Sequence, residues 1–485
     1  MHVAIVHYHL RAGGVTRVIE HSVRALLAQP VNAVVLAGAI PAAAWSCPLA
    51  AVAGLHYPTE GPVTDRAART LVNELKRAAR RALGHAPDLW HIHNHTLGKN
   101  PVLTKAIHYL AAEGQRLLLH IHDFAEDGRP ELYHAMLAGI AQGNMEKFGA
   151  IAYPQAAHVH YATLSERDSR VLRAAGAQPT ATHWLPNPVV APAAERSATA
   201  ISWEGQRRLL YPTRAIRRKN IGEVILWALL GKTRDAFALT LAPASRTDRA
   251  IYATWKKYAR RWRLPIQFEV GLTPGASLAA WLRAATAVIT TSVAEGFGLA
   301  FLEPWLADRP VLGRNLPEIT SEFRRGGIRL PFMYERLDIP VRWIGARPLR
   351  QALAGGLAKS YRVYGRSLPV DAVERAYEAA VQNGAVDFGK LNEPLQLAVI
   401  DTLRRFPRQR RHIRPGQLAA GSKIATVRNN AALIAKTCNS ERYGERLMAV
   451  YRQLLRERPG PLTHLAADII LDNFLAPERF CLLRA

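Results

Sequence analysis

A chain of 485 residues is longer than one hydrophobic core supports, so two domains with an appendage are expected. Hydrophobic residues at 49% and charged residues at 21% exclude a disordered chain, and no apolar run approaches the roughly 18 residues of a membrane-spanning helix. The formal charge of +26 draws acidic substrates, anionic lipid or nucleic acid without dictating a fold, and a general Arg- and Ala-rich bias accounts for it equally well.

In chain order, His2 to His7 reads as a buried strand, followed by a Gly13-Gly14 turn and a helix from about Thr16. Backbone N–H groups and the helix dipole both point at such a turn, making Gly13 and Gly14 candidates for diphosphate contact. The full Gly-x-Gly-x-x-Gly pattern is missing, which disfavours a nicotinamide enzyme. The N-terminus starts as a strand and not as a signal peptide, so the cytoplasm is expected, with a peripheral contact at the inner membrane face left open. A second strand is expected over Val31 to Ala37 and a helix over Asp65 to Leu83, whose outer face carries Arg66, Arg69, Lys76, Arg77, Arg80 and Arg81. That basic face is read first as solvated and second as a membrane-surface face.

Leu89 to His95 and Leu117 to Asp123 read as strands with His-rich tips, placing His93, Asn94, His122 and Asp123 where open α/β sheets bind ligands. The histidines alternate with apolar residues at strand spacing and have no cysteine neighbours, so no metal is expected. Asp123 and, from the loop after it, Phe124 to Tyr133, the residues Glu126, Arg129 and Tyr133 are acceptor candidates, Arg129 and Tyr133 being suited to a carboxylate or phosphate. Ser165 reads as a helix cap. The Pro-, Ala- and Ser-rich stretch from Val190 to Ala200 reads as a linker between domains 1–192 and 201–345.

In the second domain, Arg208 to Pro212 is a strand entering a loop where Arg214 and Lys219 can place two cations on one diphosphate, with Arg217 and Arg218 as competitors. Strands at Ala238 to Ala242 and Ile266 to Val270 enclose a helix at Tyr252 to Trp262, which implies a second parallel sheet. A strand at Ala287 to Ile289 then leads to Glu295, the turn Gly296-Phe297-Gly298, and Leu299 at the start of a short buried helix containing Glu303. A carboxylate at the edge of a core face is either paired or directed into a cleft. From Arg347 helical patterns dominate, giving a mainly helical extension over 346–485 that includes the basic cluster Phe406 to Pro415.

Glu295, seven residues and Glu303, with Gly-Phe-Gly between, resemble the signature of the retaining GT-B glycosyltransferases of the large family four group. The Gly13-Gly14 turn, His122-Asp123, Leu185 to Val189, and the Arg214 and Lys219 pair match further parts of that pattern across roughly residues 1–345. The resemblance implies an α/β fold of two Rossmann-like domains facing a cleft, with part of the helical extension crossing back to the first domain. It implies a donor diphosphate between Gly14, Arg214 and Lys219, a ribose on Glu303, and a sugar between His122, Glu295 and the Phe297 to Leu299 backbone. His122, Glu295, Arg214 and Lys219 would serve catalysis. Pro304 and Asp308 depart from the small residues usual in that helix.

The expected activity is therefore sugar transfer from a nucleotide-diphosphate sugar to an acceptor hydroxyl, with retention and without a metal or other cofactor. The alternatives are a sugar-nucleotide epimerase or phosphorylase of the same fold, or a non-catalytic basic binding protein on that scaffold. The expected partners are a nucleotide sugar and a hydroxyl acceptor, to which an acidic character would suit the charge. Anionic membrane is a further candidate, and specific nucleic acid is not expected because no helix-turn-helix, zinc-finger or RNA-recognition pattern is present. Cys47, Cys438 and Cys481 are too widely spaced for a metal cluster or a disulfide framework.

Overall fold

A computed structural model describes the chain apart from residues 12, 42–44, 58–62, 192–200, 206, 232–234, 414–423 and 485. Most of the expected linker, from 192 on, and residues 414–415 of the basic cluster lie outside the described residues. The chain forms two compact units, Met1–Pro188 with Cys438–Leu475, and Val189–Thr437 with Ala476–Ala485.

The first unit runs β1 (His2–His9), α1 (Gly14–Leu26), β2 (Asn32–Ala39), β3 (Leu49–Ala51), α2 (Asp65–Leu83), β4 (Leu89–His93), α3 (Pro101–Ala112) and β5 (Leu117–Ile121). It continues with α4 (Pro130–Ala141), α5 (Met145–Ala152), β6 (Pro154–Gln155), β7 (Val159–Thr163), α6 (Glu166–Ala174) and β8 (Thr182–Trp184). A parallel sheet covered on both faces needs strands that are apolar throughout, and β1, β2, β4 and β5 are buried almost end to end. The seven-stranded sheet has the order β3-β2-β1-β4-β5-β7-β8, with every pairing parallel. Its order reverses between β1 and β4, so their C-terminal ends border the crevice where such sheets take ligands. The helix boundaries have local causes: the Thr64 hydroxyl caps α2, left-handed Gly84 ends it, and Ser165 caps α6.

The second unit runs β9 (Arg207–Arg214), α7 (Ile221–Leu230), β10 (Asp235–Leu241), α8 (Arg246–Arg261), β11 (Ile266–Gln267), α9 (Leu278–Ala284) and β12 (Ala287–Thr290). It goes on to α10 (Glu303–Leu306), β13 (Val311–Arg314), α11 (Pro317–Arg325) and β14 (Met333–Tyr334). These six strands form a second parallel sheet, β11-β10-β9-β12-β13-β14, which reverses between β9 and β12. The strand expected over Ile266 to Val270 stops at Gln267, because Glu269 adopts a left-handed conformation and starts a 3-10 turn.

Residues beyond 337 divide between the units. In the second, β15 (Asp338–Pro340), α12 (Ala346–Val363), α13 (Ala372–Ala380), β16 (Val381–Gln382), β17 (Ala385–Asp387), α14 (Glu393–Arg405) and α15 (Ile424–Thr437) include a small antiparallel sheet, β15-β17-β16. In the first, α16 (Ser440–Arg456), β18 (Thr463–His464) and α17 (Ala467–Leu475) complete the unit. Tyr443, Leu447, Tyr451 and Leu454 of α16 enter the core formed by Val3, Ile5 and Val35 of the sheet with Ile19 and Val23 of α1. Arg314 on β13 is buried between Glu223 of α7 and Asp387 of β17, donating to Glu223 Oε2 at 2.6 Å and to Asp387 Oδ2 at 2.7 Å. No helix among the described residues is long and apolar enough to cross a membrane.

Candidate active site

In the second unit the reversal of strand order places the ends of β9 and β12 side by side, and most of the donor candidates follow them. Arg214 is the exposed last residue of β9, its guanidinium within 3.4 Å of the Ala242 carbonyl. Beyond it Arg217–Lys219 form a 3-10 turn that left-handed Asn220 joins to α7. That turn is held to the β12 tip. Tyr211 and Thr291 hydroxyls donate to the Lys219 carbonyl at 3.1 and 2.9 Å, and the Val293 N–H donates to the Arg218 carbonyl at 2.9 Å.

The Lys219 ammonium pairs with Glu295 Oε1, and Arg218 lies 3.5 Å from the other carboxylate oxygen while donating to the Ala294 carbonyl at 2.8 Å. Burial pulls the Lys219 ammonium below the ordinary lysine range, and the Glu295 charge opposes that pull. Arg217 leaves this group: its guanidinium makes a two-pronged ion pair with Glu393 at 2.6 and 2.8 Å. Glu393 lies 176 residues further along the chain, so no local spacing could show which of the four cations it takes.

After Glu295, Gly298 has φ 93, where a side chain is strained, and a Cβ there would lie 2.7 Å from Ile319 Cγ2 and 2.9 Å from Phe301 Cδ2. Phe297 is buried edge-on against Phe323, with ring centroids 5.7 Å apart. The short helix expected from Leu299 is divided in two. Leu299–Phe301 form a 3-10 turn, and α10 is a single turn that Glu303 itself begins. Pro304 is the physical reason, since it lacks an N–H and is accommodated only in the first turn of a helix. Glu303 is therefore half-buried at a helix start, where the dipole favours its charge.

In the first unit, α1 begins at Gly14, two residues before the expected Thr16, with Gly13 extended ahead of it. A Cβ at Gly14 would meet nothing within 4 Å, so this turn has room beside it. Asn94, left-handed at φ 58, accepts from the His122 and Asp123 N–H groups at 2.7 and 3.0 Å, fixing the His-Asp pair across the strand tips. The His122 ring lies 2.8 Å from His93 Nδ1, and burial lowers its pKa to about 4, so it is a neutral imidazole at neutral pH. Asparagine favours the left-handed region, but nothing in the sequence marked Asn94 as the organiser of this tip.

The acceptor candidates separate. Arg129 is tied to Asp123 at 2.6 Å and to the Phe124 carbonyl at 2.9 Å. Glu126 is buried, accepting from the Tyr153 hydroxyl at 2.9 Å while its other oxygen has no hydrogen-bond partner, and burial raises its pKa to about 7. Tyr133 belongs to the core of α4, edge-on to Phe148 with its hydroxyl 3.2 Å from Met145 Sδ, so it does not join Arg129 in gripping a ligand. Tyr133, expected in the loop, instead lies on α4, which turns it inward.

Two Rossmann-like α/β units with a largely helical C-terminal region constitute the GT-B fold. Sucrose-phosphate synthase from Thermosynechococcus elongatus is similar in structure, with a TM-score of 0.53 at 15% identity, covering 94% of this chain and 99% of that one. Anabaena HepE, solved in complex with UDP-glucose, gives a TM-score of 0.52 at 14% identity over 93% of this chain and 99% of that one. In sequence, the chain is 25% identical over 345 residues to mannosylglucosyl-3-phosphoglycerate synthase of Petrotoga mobilis, spanning 66% of each protein. No protein-family model matches.

Proposed function

We propose that the chain is a retaining glycosyltransferase that moves a hexose from a nucleotide-diphosphate sugar to an acceptor hydroxyl. The observation that carries this reading is the group at the second sheet's reversal, where Lys219 and Arg218 converge on Glu295 and Arg214 ends the neighbouring strand. The cations exceed the carboxylate in charge, which suits a diphosphate. The similarity to two proteins named as synthases of sugar derivatives, and to HepE solved with UDP-glucose, supports the same ligand class.

In this reading a phosphate oxygen replaces Glu295 as the partner of Lys219, and the released carboxylate accepts from hydroxyls of the transferred sugar. Arg214 and Lys219 offset the charge that builds on the departing diphosphate, in place of a metal. The Phe297 to Leu299 backbone and Glu303 are assigned to the sugar and the ribose, and Gly13, Gly14 and His122 keep the roles that the resemblance gives them. Because His122 is neutral, it can orient a sugar hydroxyl without adding charge. An acidic acceptor accords with the charge of +26 and with the phosphoglycerate in the name of the Petrotoga protein.

The test is an assay of uridine, guanosine and adenosine diphosphate sugars against phosphorylated and neutral sugar acceptors, with the product's anomeric configuration read by proton NMR. Transfer with retention, lowered about 100-fold in kcat/KM by Lys219→Ala, is expected. Wild-type turnover in Lys219→Ala and Glu303→Ala would refute the assignment, as would an inverted product.

A further inference from the structure

The first sheet carries three imidazoles to which the proposed transfer assigns no role. His91 and His93 on β4 and His120 on β5 are completely buried, and register pairs His93 with His120. Spacing within one strand gives no hint of this grouping; the pairing of two strands creates it. One nitrogen from each of the three rings lies within 4.8 Å of the others. His91 Nε2 and His120 Nδ1 are 3.1 Å apart, close to the roughly 3.3 Å between two nitrogens on one tetrahedral ion with bonds of 2.0–2.1 Å.

Two further observations indicate a ligand. The Nε2 atom of His93 is buried without a hydrogen-bond partner, which is destabilising unless something binds there. Two of the outward nitrogens, by contrast, are supported as those of metal-binding histidines usually are: His91 Nδ1 lies 2.8 Å from the Tyr451 hydroxyl and His93 Nδ1 lies 2.8 Å from His122 Nε2.

We propose that His91, His93 and His120 form a structural site for a divalent transition metal of the zinc class. Imidazole nitrogens select zinc, copper, nickel or iron over magnesium and calcium, and complete burial excludes a substrate from the ion. Because Tyr451 belongs to α16, the ion ties that returning helix to the centre of the sheet. This departs from the sequence reading, which expects no metal at these histidines, and His93 links the proposed site to His122 at 2.8 Å.

The experiment uses the full chain, stripped with a chelator and titrated with Co(II) and Zn(II). Uptake of about one ion per chain, a visible low-coordinate Co(II) spectrum and a higher melting temperature are expected. The double substitution His93→Ala with His120→Ala should weaken uptake at least about 100-fold. His183→Ala, which removes a histidine paired with His160 in the same unit, should leave uptake unchanged. Failure of the wild type to take up either ion, or undiminished uptake by the double variant, overturns the proposal. If the double variant does not fold, X-ray absorption of the loaded wild type decides: imidazole scattering from three ligands supports the site, and an all-oxygen shell refutes it.

Discussion

Replacing Glu126 by Gln isolates one buried charge and should change how stability depends on pH. Burial raises this carboxyl from its ordinary 4.5 to about 7, outweighing the opposing hydrogen bonds from its own backbone N–H and from the Tyr153 hydroxyl. Between those two values the folded chain holds a proton that the unfolded chain has released, so stability falls as pH rises through that window. Above about pH 7 both states are ionised and the loss is complete. A rise of this size corresponds to about 3 kcal/mol, fully present below the unfolded pKa. Gln keeps an oxygen for Tyr153 and cannot ionise. In urea unfolding followed from about pH 4 to pH 8, the stability of Glu126→Gln relative to wild type should therefore increase by about 3 kcal/mol across the series. A difference that stays constant with pH would refute the reasoning, because it would mean that Glu126 is solvated or finds a compensating donor.

Arg314→Met removes the cation shared by two buried carboxylates and should cost about 3–5 kcal/mol in denaturant unfolding. Adding Glu223→Gln and Asp387→Asn should recover much of that loss. Gly298→Ala forces a Cβ into a left-handed position against Ile319 and Phe301. It should lower stability by about 1–3 kcal/mol and weaken donor binding by shifting the Phe297 to Leu299 backbone, both measurable by thermal shift with and without nucleotide sugar.

Much of the architecture was legible because it depends on short-range chemistry. Short apolar runs such as Val3 to Val6 within His2 to His7 are what a sheet buried on both faces requires, and the Ser165 cap fixes the start of α6. The strand-end locations of Arg214, Glu295 and His122 followed from the same pattern. What escaped the sequence was pairing at a distance. Arg217 looked equivalent to Arg218 and Lys219 until Glu393 engaged it, and the histidines of β4 and β5 looked like ordinary alternation until register put them together. Two-residue strands such as β16 and β18 are too short for alternation to show. The truncation of α10 was marked by Pro304, and the inward turn of Tyr133 by the helix that begins at Pro130.

Calorimetric titration of UDP-glucose, with guanosine and adenosine diphosphate sugars alongside, onto wild type and Lys219→Met bears most directly on the proposed donor site. Saturable binding of at least one donor is expected, weakened about tenfold or more when the ammonium that meets the diphosphate is lost. Binding of none of these donors by the wild type, or equal affinity in both proteins, would contradict the placement of the diphosphate on Lys219.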